Sequence, residues 1–528
     1  MGLKYLYVPS GVKAGTAYGV MPNSSDADFD DFTRNSAGSR VDKNGFINTG
    51  LGLGSEEITN GDFEQGSTDW SITNTGSASS SISNGYLRIV TNGDYTIVVQ
   101  GGLAIGKTYQ LSYTILESDG GSLVLENPSN INLDSSVGYH TIEFYGGVTS
   151  LRLKRGGGAL DVKIDNVSVR EVTEVNTDVP RLDYTGGGCP SLLLEPQSTN
   201  YVVYSEDFSQ GLWAKLNSTI TSDTGISPDG SQNASNLSFN GASNASLRTV
   251  ITSTSGQVYT FSIWIKKISA NYTNNINARI EGFAGTVGVV FLGDTLNNAA
   301  VGEFVRYSVT TSASTGGTSY FQFRSDEEAT FEVWGAQIEN QSYVTSYTPT
   351  FGATSTRSED VGGSTGDLSS VVNSQEGTFM FEGSFLSIGG RVGLNSSTTT
   401  WSDRITILTI SDTQIKLILK GGNVGEDATF TVPNIKTNGK LAIRWIGTNV
   451  VGYYNGTQVF SKANNGGYSA GILDRISMAG ANGTSNKFTG KIKQLRVYDE
   501  YLSDADIEEL TSWKSFNEMA QALNYVIE

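Results

Sequence analysis

The sequence predicts an all-β chain: several β-sandwich (jelly-roll) domains in tandem, closed by a short C-terminal α-helix. Three observations predict it. Gly accounts for 63 of 528 residues and charged residues for only 17%, against roughly 25% in an ordinary globular chain. Apolar and polar residues alternate through short runs such as TYQLSYTIL, the pattern of a strand with one buried face. Each run is bounded by Gly, Asn, Ser or Asp, the residues of turns. At about 100–200 residues per domain, the length allows about three or four domains.

Residues 1–50 form an N-terminal lead. Its NSSDADFDDF stretch lacks the Gly and closing Glu of a helix-loop-helix calcium loop and reads as a solvated acidic turn. Residues 51–175 hold the strand runs GYLRIV, YTIVVQ, TYQLSYTIL, GSLVLE, YHTIEFYGG and SLRLKR, enough for one sandwich. Residues 176–200 are a linker that passes through PRLDY and a Gly-rich turn to SLLLE. Residues 201–350 supply a second set of runs, including VYTFSIWIKK and SYFQFRS. The two sets share a weak internal repeat. Both open on Asp-Phe and then Trp: Asp62-Phe63 with Trp70, and Asp207-Phe208 with Trp213. Both close on an alternating strand, Val162, Ile164, Val167 and Val169 in one, Phe331, Val333 and Ile338 in the other. Two copies of one sandwich, with first and last strands adjacent, is the economical reading.

Residues 351–375 are a second linker, and residues 376–500 a third sandwich. The Asn455-Gly456 step between YY and TQVF marks a tight hairpin. Residues 501–528 predict the helix. Ser503 and Asp506 form a capping-box-like start, and Ile507, Leu510, Phe516, Ala520, Leu523 and Ile527 recur at near-helical spacing.

Composition narrows the chemistry. The net charge of -18 repels phosphate backbones, so no nucleic-acid partner is expected. No apolar run approaches the ~18 residues of a membrane span, so no insertion into a membrane is expected. The N-terminus lacks a basic-then-apolar export signal and a myristoylation pattern. Cys189 is the one cysteine and His140 the one histidine. Thiolate zinc and internal disulfides are thereby excluded, and a nucleophile–imidazole pair would have to use His140, which lies in a strand-like run. A glycosidase needs two placed carboxylates, and the third block carries no Glu-x-Asp-x-x-Glu run. No catalytic residue is assigned, and the chain is expected not to be an enzyme.

Among the tryptophans, Trp264, Trp334 and Trp445 lie in alternating strands and read as core residues. Trp70 and Trp213 occupy matching repeat positions, which favours a shared structural role. Trp401 stands in the polar loop STTTWSDR and is the candidate sugar-stacking residue. Trp513 is the last, beyond the start of the helix.

Three resemblances add to this reading. TNGDFEQGSTDW and KIDNVSV make the first block similar to carbohydrate-binding modules of the family 4/9/16/22 type, over about 120 residues. That resemblance implies a structural Ca²⁺ joining the two chain ends, with Asp62, Glu64 and Asp165 as candidate ligands; an acidic turn without metal is the alternative. In the second block Gly335 falls at the position matching Asp165, which argues against a second such site. EGTFMFEG, YYNGTQV and GKIKQLRVYDEYLSDADIEEL make the third block similar to the laminin-G/concanavalin-A-like lectin family. The segments DFTRNSAGSRVDKNGFI and VPRLDYTGGGCPSLLLEPQSTNYVVYSEDFS resemble tail-fibre-type proteins of phages, especially those infecting Bacteroidetes, in which they run on almost continuously.

The phage resemblance implies that the first sandwich is inserted between two parts of one unit, residues 1–50 and 176–200, with 1–50 serving virion attachment. It implies a virion structural protein, a tail or capsid fibre or spike. Such a protein would be a homotrimer, bound to other virion proteins and to host surface polysaccharide. It would assemble in the host cytoplasm and be exposed after lysis. A secreted polysaccharide-binding adhesin and a capsular depolymerase are the alternatives.

Overall fold

The computed structural model describes residues 2–519 apart from 14–15, 22–23, 29–31, 128, 269–275, 284–285, 313–315, 399–401, 423, 464–465, 480–485 and 516–517. Nearly all regular structure is antiparallel strand; the two named helices are Gly293–Asn298 and Asp504–Thr511.

The first and second sandwiches are the same fold. Each has ten strands, from Ser71–Asn74 to Leu160–Glu174 in the first and from Ala214–Leu216 to Glu328–Glu339 in the second. Counted in chain order, strands two, three, ten, five and eight make one sheet in both copies. Strands one, four, nine, six and seven make the other. Inward residues of the two sheets close each core: Leu87, Leu111, Leu153 and Val162 in the first, Leu237, Phe261, Phe323 and Phe331 in the second.

The tenth strand carries the same irregularity in both copies. Asn166 (φ 51°) and Gly335 (φ 62°) adopt left-handed backbone, and the pairing register shifts there against the fifth strand. One extra residue in the left-handed region bends the strand and restores the inward phase after it. This corrects the sequence alignment: Gly335 corresponds to Asn166, and Trp334 to Asp165.

The chain ends of each sandwich also meet. Leu51–Glu56 pairs with the tenth strand of the first, Arg170 facing Glu56. In the second, the Tyr201 amide donates to the Ile338 carbonyl (2.9 Å) and the Ala336 amide to Ser205 (2.8 Å). Junctions this close make insertion of a whole sandwich into a loop geometrically undemanding.

The third sandwich is not closed by residues 376–500 alone. Its longer sheet contains Glu376–Phe385, Gly439–Ile446, Asn449–Tyr454, Thr457–Ala463 and Gly490–Tyr498. The outer edge of Gly490–Tyr498 is then covered twice. Leu3–Lys13 pairs with it from Tyr498 to Leu495, and Ser191–Leu194 from Ile492 to Gly490. Thr16–Met21 and Ser24–Asp28 extend the sheet further. Tyr5, Tyr7, Ala17, Leu192 and Leu194 belong to the third sandwich's core. Leu3–Lys13, Thr16–Met21 and Ser24–Asp28 are therefore strands of this sandwich's longer sheet. An unpaired edge exposes a row of amides and carbonyls, and the distant segments satisfy it.

Asn455 (φ 47°) and Gly456 (φ 82°) form the expected hairpin turn between Asn449–Tyr454 and Thr457–Ala463. The C-terminal helix is described over Asp504–Thr511, with the Ser503 hydroxyl accepting from the Asp506 amide. It covers the outer face of the longer sheet, packing Ile507 against Met380, Ala442, Val451 and Tyr453. Phe516, Ala520, Leu523 and Ile527 lie outside the described residues.

In the segments that connect the sandwiches, Arg34, Arg181, Arg357, Glu195 and Asp360 form a buried ionic cluster. Arg34 bonds Asp360 at 3.0 Å and Arg181 bonds Glu195 at 2.8 Å, while Arg181 also pairs with Asp360. Arg357 lies 3.5 Å from Glu195 and 3.6 Å from Asp360. Backbone groups complete the set. Arg34 donates to the Ser36 and Val179 carbonyls, and Arg181 to the Ser39 carbonyl. Glu195 accepts from the Ser346 amide and Asp360 from the Glu195 amide. Burial alone would raise the Glu195 carboxyl, but Arg181 and Arg357 override it and hold it at about 2.

Two outcomes are expected. Asp360→Ala leaves three guanidiniums with Glu195 as the one carboxylate and lowers stability by about 3–5 kcal/mol, read by urea unfolding. The Glu195 contribution is full above the ordinary carboxylate range and is lost as pH falls from about 4 toward about 2. Glu195→Gln should therefore remove part of the acid-induced loss of stability.

Candidate carbohydrate-binding face

The second sandwich presents its strand-four, -nine and -six face outward. Along Ala245–Ser253, Gly317–Ser325 and Ile276–Phe283, residues Leu247, Phe321, Phe323, Ala278 and Ile280 point into the core. The period of two then sends Arg248, Tyr320, Gln322, Arg324, Asn277, Arg279 and Glu281 to the opposite side. Register sets them in rows: Arg248, Gln322 and Arg279 lie across from one another, as do Ser246, Arg324 and Asn277. Tyr320 stands between Val250 and Glu281.

These side chains hold each other in place. The Arg248 guanidinium lies over the Tyr320 ring at 5.1 Å. Arg279 donates to Asn277 Oδ1 (2.6 Å) and to Glu281 Oε1 (2.8 Å). Arg324 forms a fork with Asp326 at 2.9 and 3.0 Å. Burial would raise the Asp326 carboxyl, but the Asn244 amide and Arg324 hold it below its ordinary value. Gln322 and Asn277 form a buried floor, and Tyr320 and Arg248 are half-buried.

A ring face, planar guanidiniums and amides on a rigid sheet are the groups that engage a sugar's C–H face and its hydroxyls. Both carboxylates of this face are occupied by arginines, so they do not form the free acid–base pair that glycoside cleavage requires. The corresponding sheet of the first sandwich, in the strands SITN, TIVVQG, SLRLKRGG, SLVLEN and SNINL, contains no aromatic residue. Its outward Glu126 is engaged by Lys154 and by Arg152 (3.0 Å).

The tryptophans divide by role. The Trp70 indole donates to the Asn60 carbonyl (3.0 Å) and packs at a tilt against Phe63. The Trp213 indole donates to the Tyr204 carbonyl (2.8 Å) and packs edge-on against Phe208. The repeat positions thus share one structural part. Trp445 is in the third core and donates to the Ser374 carbonyl (3.0 Å). Trp264 and Trp334 are buried outside the sandwich core, in a separate cluster with Tyr347, packed on by Ile47 and Phe304. Trp513 lies under the Lys440 ammonium at 4.5 Å. Trp401 lies outside the described residues.

His140 faces the Ser136 carbonyl (2.7 Å) and the Tyr113 ring, not a hydroxyl or thiol nucleophile. Asp62 and Asp165 come onto neighbouring segments, because the Val167 amide donates to the Gly61 carbonyl at 2.9 Å. Each then caps its own loop: Asp62 accepts from the Glu64 amide (3.3 Å) and Asp165 from the Asn166 amide (2.7 Å). Among the described residues no three His, Cys, Asp or Glu side chains converge as a metal site, so Asp62, Glu64 and Asp165 do not assemble a side-chain calcium cage.

Sequence reasoning missed the Tyr320 face because Tyr320 sits in SYFQFRS among phenylalanines. The signal was present in the alternation: Phe321 and Phe323 share one phase, and Tyr320, Gln322 and Arg324 the other.

Residues 368–508 match the laminin G 3 family, described as the concanavalin A-like lectin/glucanases superfamily. The third sandwich is lectin-like. No curated protein matches the chain. Among solved structures, it is similar to the carbohydrate-binding module of a Ruminococcus gnavus intramolecular trans-sialidase bound to α2,3-sialyllactose, at 14% identity, 28% of this chain, 91% of that chain and TM-score 0.24. A tandem pair of family-22 modules from Paenibacillus barcinonensis matches at 13% identity, 55% of this chain, 98% of that chain and TM-score 0.21. A pentraxin from Limulus polyphemus matches at 14% identity, 28% and 79% coverage and TM-score 0.23.

Trp70→Phe and Trp213→Phe each remove a hydrogen bond and are expected to lower stability by about 1–2 kcal/mol in denaturant titration, leaving ligand binding intact. A chelator is expected to leave the thermal midpoint unchanged. A fall on chelation, restored by Ca²⁺, would show a site built largely from backbone oxygens between the segments of Asp62 and Asp165.

Proposed function

We propose that this protein binds cell-surface carbohydrate through its lectin-like sandwiches and performs no catalysis. The observation that carries the reading is the outward face of the second sandwich, where Tyr320, Arg248 and Gln322 adjoin without a free carboxylate pair. The lectin-family match of residues 368–508 supports it. The test is a glycan array probed with the full chain. Tyr320→Ala should abolish or weaken by at least about tenfold the signal on the glycans bound, the scale of one good contact, at unchanged thermal midpoint. An array on which nothing binds would overturn the reading, as would release of reducing ends from a bound polysaccharide.

We propose further that the chain is a structural protein of a phage particle, a fibre or spike on tail or capsid. It would act as a homotrimer beside other virion proteins and meet host polysaccharide after lysis. What supports this is the resemblance of the segments around Arg34 and Arg181, together with their packing into one framework around the inserted first sandwich. Many copies on one particle would turn weak sugar contacts into firm attachment. Mass spectrometry of purified particles should contain the chain, and its absence would refute the assignment. Light scattering of the isolated protein should give three times the 56.3 kDa chain mass.

A further inference from the structure

The shorter sheet of the third sandwich has a second unusual face. Its strands are Arg391–Asn395, Arg404–Ser411, Gln414–Gly421, Val424–Thr431 and Arg475–Ser477. Val392, Leu394, Ile405, Ile407, Leu417, Leu419 and Ile476 point into the core. The opposite phase therefore places Arg391, Arg404, Lys416, Lys420 and Arg475 together on the outside. Register makes one row of Arg475, Asn395, Arg404 and Lys420 across four adjacent strands. With neighbouring strands about 4.8 Å apart, Arg475 and Arg404 are roughly 10 Å from each other.

This concentration of positive charge stands out in a chain of net charge -18. Among the described residues two of the five cations have a carboxylate close by: Asp427 bonds Lys416 at 2.5 Å, and Asp474 lies 3.5 Å from Arg475. Among the described residues Arg391 and Lys420 have no ion pair, and the Arg391 Nε is buried with no hydrogen-bond partner. The middle of the face is sheltered although it points away from the core: Asn395, Arg404 and Thr406 are 6%, 6% and 5% exposed. Burial lowers the affinity of Arg391 for its proton, and burial and then the Arg391 charge lower that of Arg404. Like charges gathered on a sheltered sheet are unfavourable unless an anion completes them. An ordinary solvated surface intersperses the two signs.

We propose that this face is a second carbohydrate site, selective for acidic polysaccharides whose carboxylates recur along the chain. Guanidiniums on a rigid sheet match carboxylates as two-pronged donors, and Arg391, Lys416, Lys420 and Arg475 stand part-exposed around the sheltered middle of the face. A nucleic acid suits the molecule less, since its dense phosphates would meet the acidic remainder of the surface. The inference rests on the carbohydrate-binding reading and adds a ligand class and a location distinct from Tyr320.

The experiment measures binding of the full chain to polygalacturonate, neutral dextran and duplex DNA by biolayer interferometry. Polygalacturonate is expected to bind and to weaken as salt rises from about 0.05 to about 0.5 M. Arg391→Gln with Lys420→Gln should cost about tenfold or more in affinity, while Tyr320→Ala leaves it unchanged. Lys420→Glu alone, at a half-exposed position, serves if the double variant is unstable and should also weaken binding. The inference is overturned if polygalacturonate binds no better than dextran, if these variants bind as the parent does, or if DNA binds as tightly and competes. Array glycans bound only in a Tyr320-dependent manner, with polygalacturonate unbound, would overturn this inference and leave the wider reading intact. No binding to any glycan would overturn both.

Discussion

Arg34, Arg181, Arg357, Glu195 and Asp360 are the junction that ties together the segments connecting the three sandwiches. Buried charges are unfavourable when unpaired, and a simple buried pair is often no better than an apolar one. Here each carboxylate meets more than one guanidinium, and backbone amides and carbonyls take up much of the remaining bonding capacity. The requirement for all partners at once is what makes the cluster specific. It fixes residues 34–39, 176–195, 346 and 357–360 against one another although the sequence scatters them. Next to it, Trp264, Trp334 and Tyr347 seat the second sandwich, with Arg306 lying 4.1 Å over Trp264.

The edge of the third sandwich is the complementary constraint. Gly490–Tyr498 would expose half its backbone hydrogen bonds if the domain ended where its family resemblance ends. Leu3–Lys13 and Ser191–Leu194 complete it. The lectin-like domain therefore incorporates chain from both sides of the first sandwich, which explains how a whole domain can sit between residues 51 and 175 without disturbing the framework. The segment that holds the first sandwich begins and ends on adjacent antiparallel strands.

Shared fold does not imply shared ligand. The first and second sandwiches agree strand for strand, down to the bulge at Asn166 and Gly335, yet their outward faces differ completely. One is aliphatic and ion-paired; the other carries Arg248 over the Tyr320 ring beside a floor of buried amides. The third sandwich presents a row of cations. Core phase is set by packing, and the opposite phase is free to vary, so recognition chemistry can change without altering the fold.

The strands, their inward phase, the Asn455-Gly456 hairpin, the Ser503 cap and the matching of Trp70 with Trp213 were legible in the sequence. All of these follow from alternation and turn chemistry within a few residues. It also narrowed catalysis, because one histidine and one cysteine leave few nucleophile pairs. Which distant strands pair with Gly490–Tyr498, and that the three arginines share two carboxylates, emerged from the folded chain. It alone placed Trp264 and Trp334 at a junction outside the core, and set Tyr320 beside Arg248 and Arg404 beside Lys420. The physical reason is that period-two alternation states which side of a strand a residue faces but says nothing about its neighbour across the sheet. That neighbour is chosen by register between strands up to hundreds of residues apart, and binding faces are built from such neighbours.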